Sequence, residues 1–274
     1  MITVVTDSSS YFKQAEAKAL GIKIIPMSYT VDGQVYSESY SDQNGDFENL
    51  LKSHGRFSTA QPNLAAFLSC FEEELAVGNE VLCITISSRL SGSYSTAHAA
   101  AKLTGSGKVS VFDSRLTAGG LYLLAKKAQE WISAGFPASE VMQKLQDIRG
   151  EIAVAFSVDD IAPLRKSGRL GFVRMSVGTI LNRKPVLLLF EGGIVSDQVV
   201  SGETGIIKRL VQKVATDAKE IVINYLGNNR LATNLYNVLK DAHPQTPISL
   251  RKLGPVLGIH LGVNAIAVSS IRLT

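Results

Sequence analysis

Three short clusters of hydroxyl-bearing residues offer most of the binding chemistry in this sequence. They are TDSSS at 6–10, STAQP at 58–62 and SSRLSGS at 87–93. Two of them directly follow apolar runs typical of buried strands, and the third opens a segment with helical periodicity. Ligands of open α/β sheets bind beyond the carboxyl ends of the strands, so we expect the clusters to meet at one edge of a sheet.

Helix capping and ligand binding both explain such residues, since Ser, Thr and Asp are the preferred residues just before a helix. Either explanation suffices for any one cluster taken alone. One capping side chain per helix is enough, however, and the three clusters carry more hydroxyls than capping uses. The surplus hydroxyls, with N–H groups beside them, predict a site for a carboxylate or a phosphate.

Signatures of catalysis and of metal binding are weak. Ser91 lies in LSG rather than in the GxSxG turn that exposes a serine nucleophile, and neither GxGxxG nor GxxxxGK[ST] occurs. Cys70 and Cys83 lie in apolar patterns that favour buried, reduced thiols. The histidines, which have no CxxC or HxxxH neighbours, are His54, His98, His243 and His260. We therefore expect no metal site.

The composition is that of a globular protein with a sizeable core. Of 274 residues, 45% are hydrophobic and 19% are charged, and a chain of this length buries roughly three quarters of its unfolded surface. A net charge of +4, spread along the chain, does not favour a nucleic-acid binder.

Asp7 interrupts the apolar start that a signal peptide needs, and no apolar run approaches the ~20 residues that span a bilayer. We expect a cytoplasmic protein without a transmembrane segment.

Apolar runs alternate with helical segments along the first half of the chain. The predicted strands are 2–6, 22–31, 80–87 and 108–113, and a helix is predicted from Pro62 to just before Gly78. This alternation predicts a parallel, Rossmann-like sheet. Near residue 150 the pattern changes to a strand, IAVAFSV, and to PVLLLFEGG and IVSDQVV, which predict a β-hairpin. We predict an α/β protein with an N-terminal parallel-sheet domain, 1–150, and a C-terminal mixed α+β domain, 151–274.

The chain resembles the DegV family, which includes the fatty-acid-binding subunit of bacterial fatty acid kinase. The resemblance covers essentially the full length. It rests on motifs that follow the family's order and approximate spacing: TDSSS at 6–10, TAQP at 59–62, SSRLSGSY at 87–94, VFDS at 111–114, RKSGRLG at 165–171 and GPVLGIH at 254–260. No single motif is specific, but six in register are.

The resemblance implies a DegV-like fold with a long-chain fatty acid, such as palmitate, buried inside it. The residues that match the family's carboxylate-binding positions are Thr59, Ser91 and His260, with Ser88 and Ser93 as neighbours. Ala60 stands where the family often has Ser, and LGVNAIAV follows His260 where the family favours a glycine-rich stretch. A buried carboxylate needs partners, so we expect hydroxyl donors and a cationic histidine around it.

The resemblance also implies a partner. The protein would bind the fatty acid without a cofactor or a reaction of its own, and would present the carboxylate to an ATP-dependent fatty acid kinase that forms the acyl phosphate. We expect Arg165, Lys166 and Arg169 to meet an acidic surface of that kinase. A solvated helix face explains these charges, and that of Arg174 in the same stretch, equally well.

Two other classes of function stay open. The turn SSRLSGS is also typical of phosphate-binding turns in sugar-isomerase domains, and Arg89 is available to such a ligand. The protein would then be an enzyme or sensor for a small phosphorylated or sugar ligand. Alternatively, the basic stretch near residue 165 belongs to an interaction protein without any small ligand.

Overall fold

The computed structural model describes residues 1–45, 47–52, 55–170 and 183–272, so that His54 and Arg174 lie outside the described residues. The strands in these ranges are β1 (Ile2–Asp7), β2 (Lys23–Ile25), β3 (Met27–Val31), β4 (Gln34–Glu38), β5 (Phe57–Ala60), β6 (Glu80–Thr85), β7 (Val109–Asp113), β8 (Ile152–Val158), β9 (Arg183–Phe190), β10 (Gly193–Ser201), β11 (Glu220–Leu226), β12 (Ile248–Lys252) and β13 (Ala265–Ile271). The helices are α1 (Gln14–Leu20), α2 (Phe47–Lys52), α3 (Leu64–Ala76), α4 (Ser93–Leu103), α5 (Ala118–Ser133), α6 (Ala138–Ile148), α7 (Ala162–Lys166), α8 (Gly202–Val211), α9 (Asn229–Ala242) and α10 (Pro255–Leu261). No helix of this part of the chain combines the length and apolar character that crossing a membrane takes.

The N-terminal strands form a parallel sheet in the order β2-β1-β6-β7. Its central strands, β1 and β6, are mostly buried because helices cover both faces. Phe67 and Phe71 of α3 pack with Ala97 of α4 on one face, against Val5 and Cys83. The other face packs on α5. The predicted Rossmann-like architecture of this half is confirmed.

The segment 22–31 does not form the single strand that its apolar pattern predicts. Pro26 lies between β2 and β3 and has no N–H to donate to a continuous ladder. β2 stays in the parallel sheet, whereas β3 joins β4 and β5 in an antiparallel sheet. Thr59 therefore lies within β5, opposite Tyr29. It does not open a helix, since the side chain of Asn63 caps α3 by accepting from the Ala66 N–H at 2.8 Å.

The C-terminal strands form a mixed sheet in the order β10-β9-β8-β13-β11-β12. β11 and β12 are parallel, and the other neighbouring strands are antiparallel. β9 and β10 form the predicted hairpin, with Phe190 paired to Gly193 across the turn. The prediction of a mixed C-terminal sheet is confirmed.

Helix α5 lies between the two larger sheets. It packs against β1 and β6 on one side and against β8, β11 and β13 on the other. One hydrophobic cluster accordingly joins Val4 and Leu82 of the first sheet, through Leu121, to Val154 and Val222 of the second. The core is continuous across residue 150, and the division into domains at that residue stays a prediction.

A buried ion pair adds a polar connection between the two halves of the chain. Arg251 on β12 is 5% exposed and donates two hydrogen bonds to Glu16 of α1, at 2.7 and 2.8 Å. Its guanidinium lies 3.6 Å from the ring centroid of Tyr122, whose hydroxyl also donates to Glu16. Planar, bidentate pairing of this kind suits arginine in buried positions. The contact fixes α1 and α5 against the edge of the mixed sheet.

Candidate functional site

A cavity of about 350 Å³ lies where the three-stranded sheet, the six-stranded sheet, α7 and α10 meet. This volume falls within the range of about 300–1,000 Å³ that is usual for small-ligand sites. Most of its wall is aliphatic, and the wall includes Ile86, Leu164, Leu189, Leu253, Val256 and Leu257. The cavity is therefore suited to a ligand with a long apolar part.

Strand alternation builds the apolar wall. Val154 and Phe156 of β8, and Ala265 and Ala267 of β13, point into the cavity because residues two apart share one face of a strand. Ala155 of β8 and Val268 of β13 face the opposite side, where they pack with residues of α8 and α9. On α10 the spacing of Leu257, His260 and Leu261 places all three on the cavity side. The sheet thus separates the cavity from the C-terminal core.

The cavity has a polar end formed by Thr59 and His260. The Thr59 Oγ1 lies 2.8 Å from the His260 Nε2, and either atom is the donor depending on the tautomer of the ring. The His260 Nδ1 has no hydrogen-bond partner within the described residues. These two residues are 201 positions apart in sequence and meet because β5 packs against α10.

The surroundings of His260 within the protein favour a neutral ring, and a cationic histidine beside a bound carboxylate stays a prediction. Burial and the nearby positive charge of Arg169 lower the pKa of His260 to about 4, so that the ring is neutral at pH 7. Arg169 itself lines the cavity. Positive charge at the polar end therefore comes from the guanidinium rather than from the imidazole.

Arg169 lies in a different environment from Arg165 and Lys166, the other two residues of the predicted docking surface. Arg169 is half-buried, and its Nε donates to the Leu90 carbonyl at 3.4 Å, next to Ser91. Arg165 and Lys166 are exposed on α7. The Arg169 guanidinium thus lies near His260 and the 87–93 turn, and docking through Arg165, Lys166 and Arg169 stays a prediction.

The serines of the 87–93 turn divide between the cavity and the scaffold. Ser91 lines the cavity, and its Oγ lies 2.9 Å from the Ser93 Oγ. Ser93 is fully buried, and it contacts the Ser91 hydroxyl from the side away from the cavity. Ser88 points away, because its Oγ donates to Asp113 at 2.6 Å on an exposed surface. Of the hydroxyls in this turn that match the family's positions, the structure brings only Ser91 to the cavity among the described residues.

The first hydroxyl cluster has a structural role. Thr6, Ser8 and Ser9 are fully buried together with Asp7, whose carboxylate accepts from the Ser9 N–H and hydroxyl and from the Ile86 N–H. The 6–10 segment is absent from the cavity lining among the described residues. This cluster therefore lies beside the 87–93 turn, as expected, but makes contacts within the scaffold and does not line the cavity.

Two other features of the sequence lie outside the cavity. Arg89, the residue available to a phosphorylated ligand, donates to the Glu191 carbonyl at 3.1 Å on the exposed side of the hairpin. Within the described ranges, no three His, Cys, Asp or Glu side chains come together as a group that could hold a metal ion. The polar side chains that line the cavity offer hydroxyls, the Gln61 amide, one neutral imidazole and one guanidinium.

The neutral His260 makes stability depend on pH in a defined direction. Its pKa is about 4 in the folded protein and near 6.5 when unfolded, so the unfolded chain takes up this proton first as the pH falls. The contribution of His260 to stability is complete above pH 6.5 and is lost as the pH falls towards 4. In urea unfolding of delipidated protein, wild type should therefore lose more stability between pH 7 and pH 4.5 than His260→Gln does. Replacing His98, which is exposed, controls for histidine substitution in general, and parallel curves for wild type and His260→Gln would contradict the assignment.

The comparisons with known proteins agree with this architecture. The family model described as "Uncharacterised protein, DegV family" matches residues 1–273. A DegV domain-containing protein of Listeria monocytogenes is 31% identical over 277 residues, which cover 98% of this chain and 97% of the relative. These matches extend over whole proteins and are not confined to one motif or one sheet.

Two solved structures are similar in fold over nearly the whole chain. A DegV family protein from Thermus thermophilus, described by its fatty acid binding, is 28% identical with a TM-score of 0.86, and 99% of each chain is covered. The fatty acid kinase B3 protein of Streptococcus pneumoniae, loaded with linoleic acid, is 20% identical with a TM-score of 0.85 and the same coverage. By the extent of the family match and the identity to its relatives, this chain belongs to the DegV family.

Proposed function

We propose that this protein holds a long-chain fatty acid in the cavity and presents its carboxylate to a partner kinase, which converts it to an acyl phosphate. The protein itself contributes binding and orientation, and the kinase contributes ATP and the phosphoryl transfer. The observation that carries the proposal is the division of one cavity into a long aliphatic wall and a single polar end.

The aliphatic wall accounts for affinity. Withdrawing a sixteen-carbon chain from water yields on the order of 11 kcal/mol at ~0.8 kcal/mol per methylene. Association and immobilisation of the chain offset several kcal/mol of this gain. The remainder is ample for tight binding, so the polar end has to accommodate the carboxylate rather than supply most of the free energy.

The polar end accounts for the carboxylate. Thr59 has one proton, so if it donates to the carboxylate it accepts from the Nε2–H of a neutral His260, at the observed 2.8 Å. Ser91 supplies a second hydroxyl from the opposite turn, and Arg169 supplies the compensating charge. A buried carboxylate with two hydroxyl donors and a guanidinium meets the requirement that buried charges be paired.

The same residues are poorly arranged for hydrolysis. Thr59 and His260 are in contact as a nucleophile and base would be, but no described residue orients the ring, because its Nδ1 has no partner among them. A pKa of about 4 also makes His260 a weak base at neutral pH. These properties favour binding of the ligand over reaction with it.

Presentation to a kinase is supported by the position of the polar end. Ala60 and Gln61, which follow Thr59, line the cavity and are exposed, so that the carboxylate end lies near the surface. Arg165 and Lys166 are exposed on the neighbouring α7. The name of the S. pneumoniae relative links a protein of this fold to fatty acid kinase, and that of the T. thermophilus relative links the family to fatty acids.

The protein should purify with a fatty acid already bound, because release of the tail into water is costly. Organic extraction of the purified protein followed by mass spectrometry is expected to yield about one acyl chain per protein molecule. Gentle delipidation should lower the Tm and added palmitate should restore it, since the ligand binds only the folded state.

The same experiment separates the alternatives. A polar phosphorylated compound or sugar in the extract, with no acyl chain, would favour the small-ligand function. An extract without any ligand, together with no change of Tm on adding palmitate, would contradict the proposed function. Decanol serves as a control for non-specific stabilisation by apolar molecules.

A further inference from the structure

Glu38, a fully buried residue at the end of β4, is not accounted for by the cavity chemistry. Its Oε1 accepts from the Ser8 hydroxyl at 3.0 Å, and its Oε2 accepts from the Val256 N–H at 2.7 Å. Burial, together with the nearby charge of Asp7, raises its pKa to about 7. Complete burial disfavours a charged carboxylate, and Glu38 does not line the cavity. Its presence therefore indicates a specific structural role.

The contact with Val256 lies at the N-terminus of α10. The first N–H groups of a helix have no partner within the helix, and a carboxylate beside them is favourable because of the helix dipole. Pro255 already lacks an N–H, so Glu38 accepts from the first available donor. The carboxylate thus ties the start of α10 to β4 and, through Ser8, to the end of β1.

Gly254 permits this contact by its lack of a side chain. A Cβ built at Gly254 would lie 2.3 Å from the Glu38 Oε2, far closer than two such atoms approach each other. The backbone at Gly254 is extended, with φ at −95°, so alanine is compatible with its conformation. The glycine is required by the close approach of the carboxylate rather than by the backbone angle.

The helix held in this way carries His260. α10 has seven residues, and His260 follows Val256 by one turn on the same side. The helix packs against α2, α7, β3 and β5, and its C-terminal end brings His260 to within 2.8 Å of Thr59 on β5. Because Val256 and His260 are only one turn apart, a displacement at the start of α10 is transmitted to His260 at its other end.

We propose that Glu38 is a positioning residue for ligand binding: its carboxylate fixes the start of α10 so that His260 meets Thr59 at the polar end of the cavity. The proposal rests on the proposed function only for its effect on fatty-acid affinity. The other half of the proposal, that Glu38 determines the position of the His260 ring, does not depend on the identity of the ligand.

Three variants test the contact from both sides. Glu38→Leu keeps a similar volume and leaves the Val256 N–H unpaired, whereas Gly254→Ala keeps the carboxylate and pushes it away. Both should weaken palmitate binding by about tenfold, the effect of losing one hydrogen bond to a charged ligand. Glu38→Gln retains a carbonyl acceptor for Val256 and an N–H for Ser8, and should bind within about twofold of wild type. If Glu38→Leu does not fold, Gly254→Ala alone carries the test.

The readout specific to positioning is the nitrogen NMR spectrum of the His260 ring in delipidated protein. Glu38→Leu and Gly254→Ala should shift its Nε2 resonance, and Glu38→Gln should not. Adding His260→Ala to either variant should cost little further affinity, because both changes act on one contact. Glu74→Leu is the matched control, since Glu74 is another buried carboxylate, bonded to Thr3 at the opposite end of β1.

The outcomes distinguish this inference from the proposed function. Unchanged His260 resonances, or affinity losses that add fully to that of His260→Ala, would overturn the role of Glu38 even if palmitate binds well. Wild-type protein that does not bind palmitate would overturn the proposed function, while the ring resonances would still report whether Glu38 positions His260.

Discussion

Thr59→Val is expected to lower the affinity for palmitate by about ten- to a hundred-fold, the equivalent of roughly 1.5–3 kcal/mol for a hydrogen bond to a charged group. The substitution suits the structure, because Thr59 lies within β5 and valine keeps the branched shape that a strand favours. It deletes the hydroxyl that contacts the His260 Nε2. Isothermal titration of delipidated protein with palmitate measures the loss.

The loss should depend on the head group of the ligand. Palmityl alcohol and palmitate methyl ester carry no negative charge, so they should lose much less affinity between wild type and Thr59→Val than the free acid does. Equal losses for acid and ester would place Thr59 beside the acyl chain or in the scaffold, and would remove it from the carboxylate site.

Ser91→Ala should behave similarly, although it also removes the acceptor of a 3.3 Å hydrogen bond from the Ser93 N–H at the start of α4. If both hydroxyls serve one carboxylate, the double variant Thr59→Val, Ser91→Ala should deviate from additivity. Strict additivity would indicate that the two residues do not share a ligand group.

Arg169→Glu is expected to have the second large effect, a loss of palmitate affinity on the order of a hundredfold or more. The substitution removes the positive charge that lines the cavity and places a like charge near the carboxylate, which costs several kcal/mol at partly buried sites. Removing a neighbouring cation should also raise the pKa of His260, because the charge of Arg169 helps to lower it. Titration with palmitate and NMR titration of the His260 ring measure the two effects.

Lys166→Glu is the matched control, as it reverses a charge three positions away on the exposed side of α7. It should leave palmitate binding unchanged and reduce the rate of phosphorylation by a partner kinase, most strongly at low salt, because surface charges mainly govern association. If Arg169→Glu keeps its affinity for palmitate, Arg169 does not contact the carboxylate, and a role in docking to the kinase is favoured. A loss of affinity in Lys166→Glu would show that α7 as a whole is structural.

The architecture could be predicted largely from periodicity. Alternating apolar runs and helical segments are a local property of the chain, and parallel strands joined by helices are their usual outcome. The hairpin of β9 and β10 was predictable for the same reason, because the glycines at its turn are adjacent in sequence. The split of 22–31 was not, since periodicity does not tell which sheet each half of an apolar run joins after Pro26.

Part of the candidate site was also predictable from the sequence, and part was not. Thr59, Ser91 and His260 were predictable because their motifs match those of a known family, and the structure places all three on one cavity. The position of Arg169 was not predictable, because a basic run in sequence does not show which of its side chains turns inward. Only the fold decided that Arg169 lies near His260 and donates to the Leu90 carbonyl of the 87–93 turn.

The sequence by itself determined the residue types and the strand and helix periods of this protein, both of which depend on neighbours along the chain. The tertiary structure alone decided which hydroxyls line the cavity and which bond within the scaffold, because that depends on residues up to 201 positions apart. Glu38 is the plainest case. Nothing around it in sequence marks it, and its contact with Val256 exists because folding brings together groups 218 residues apart, where an unpaired carboxylate would be costly.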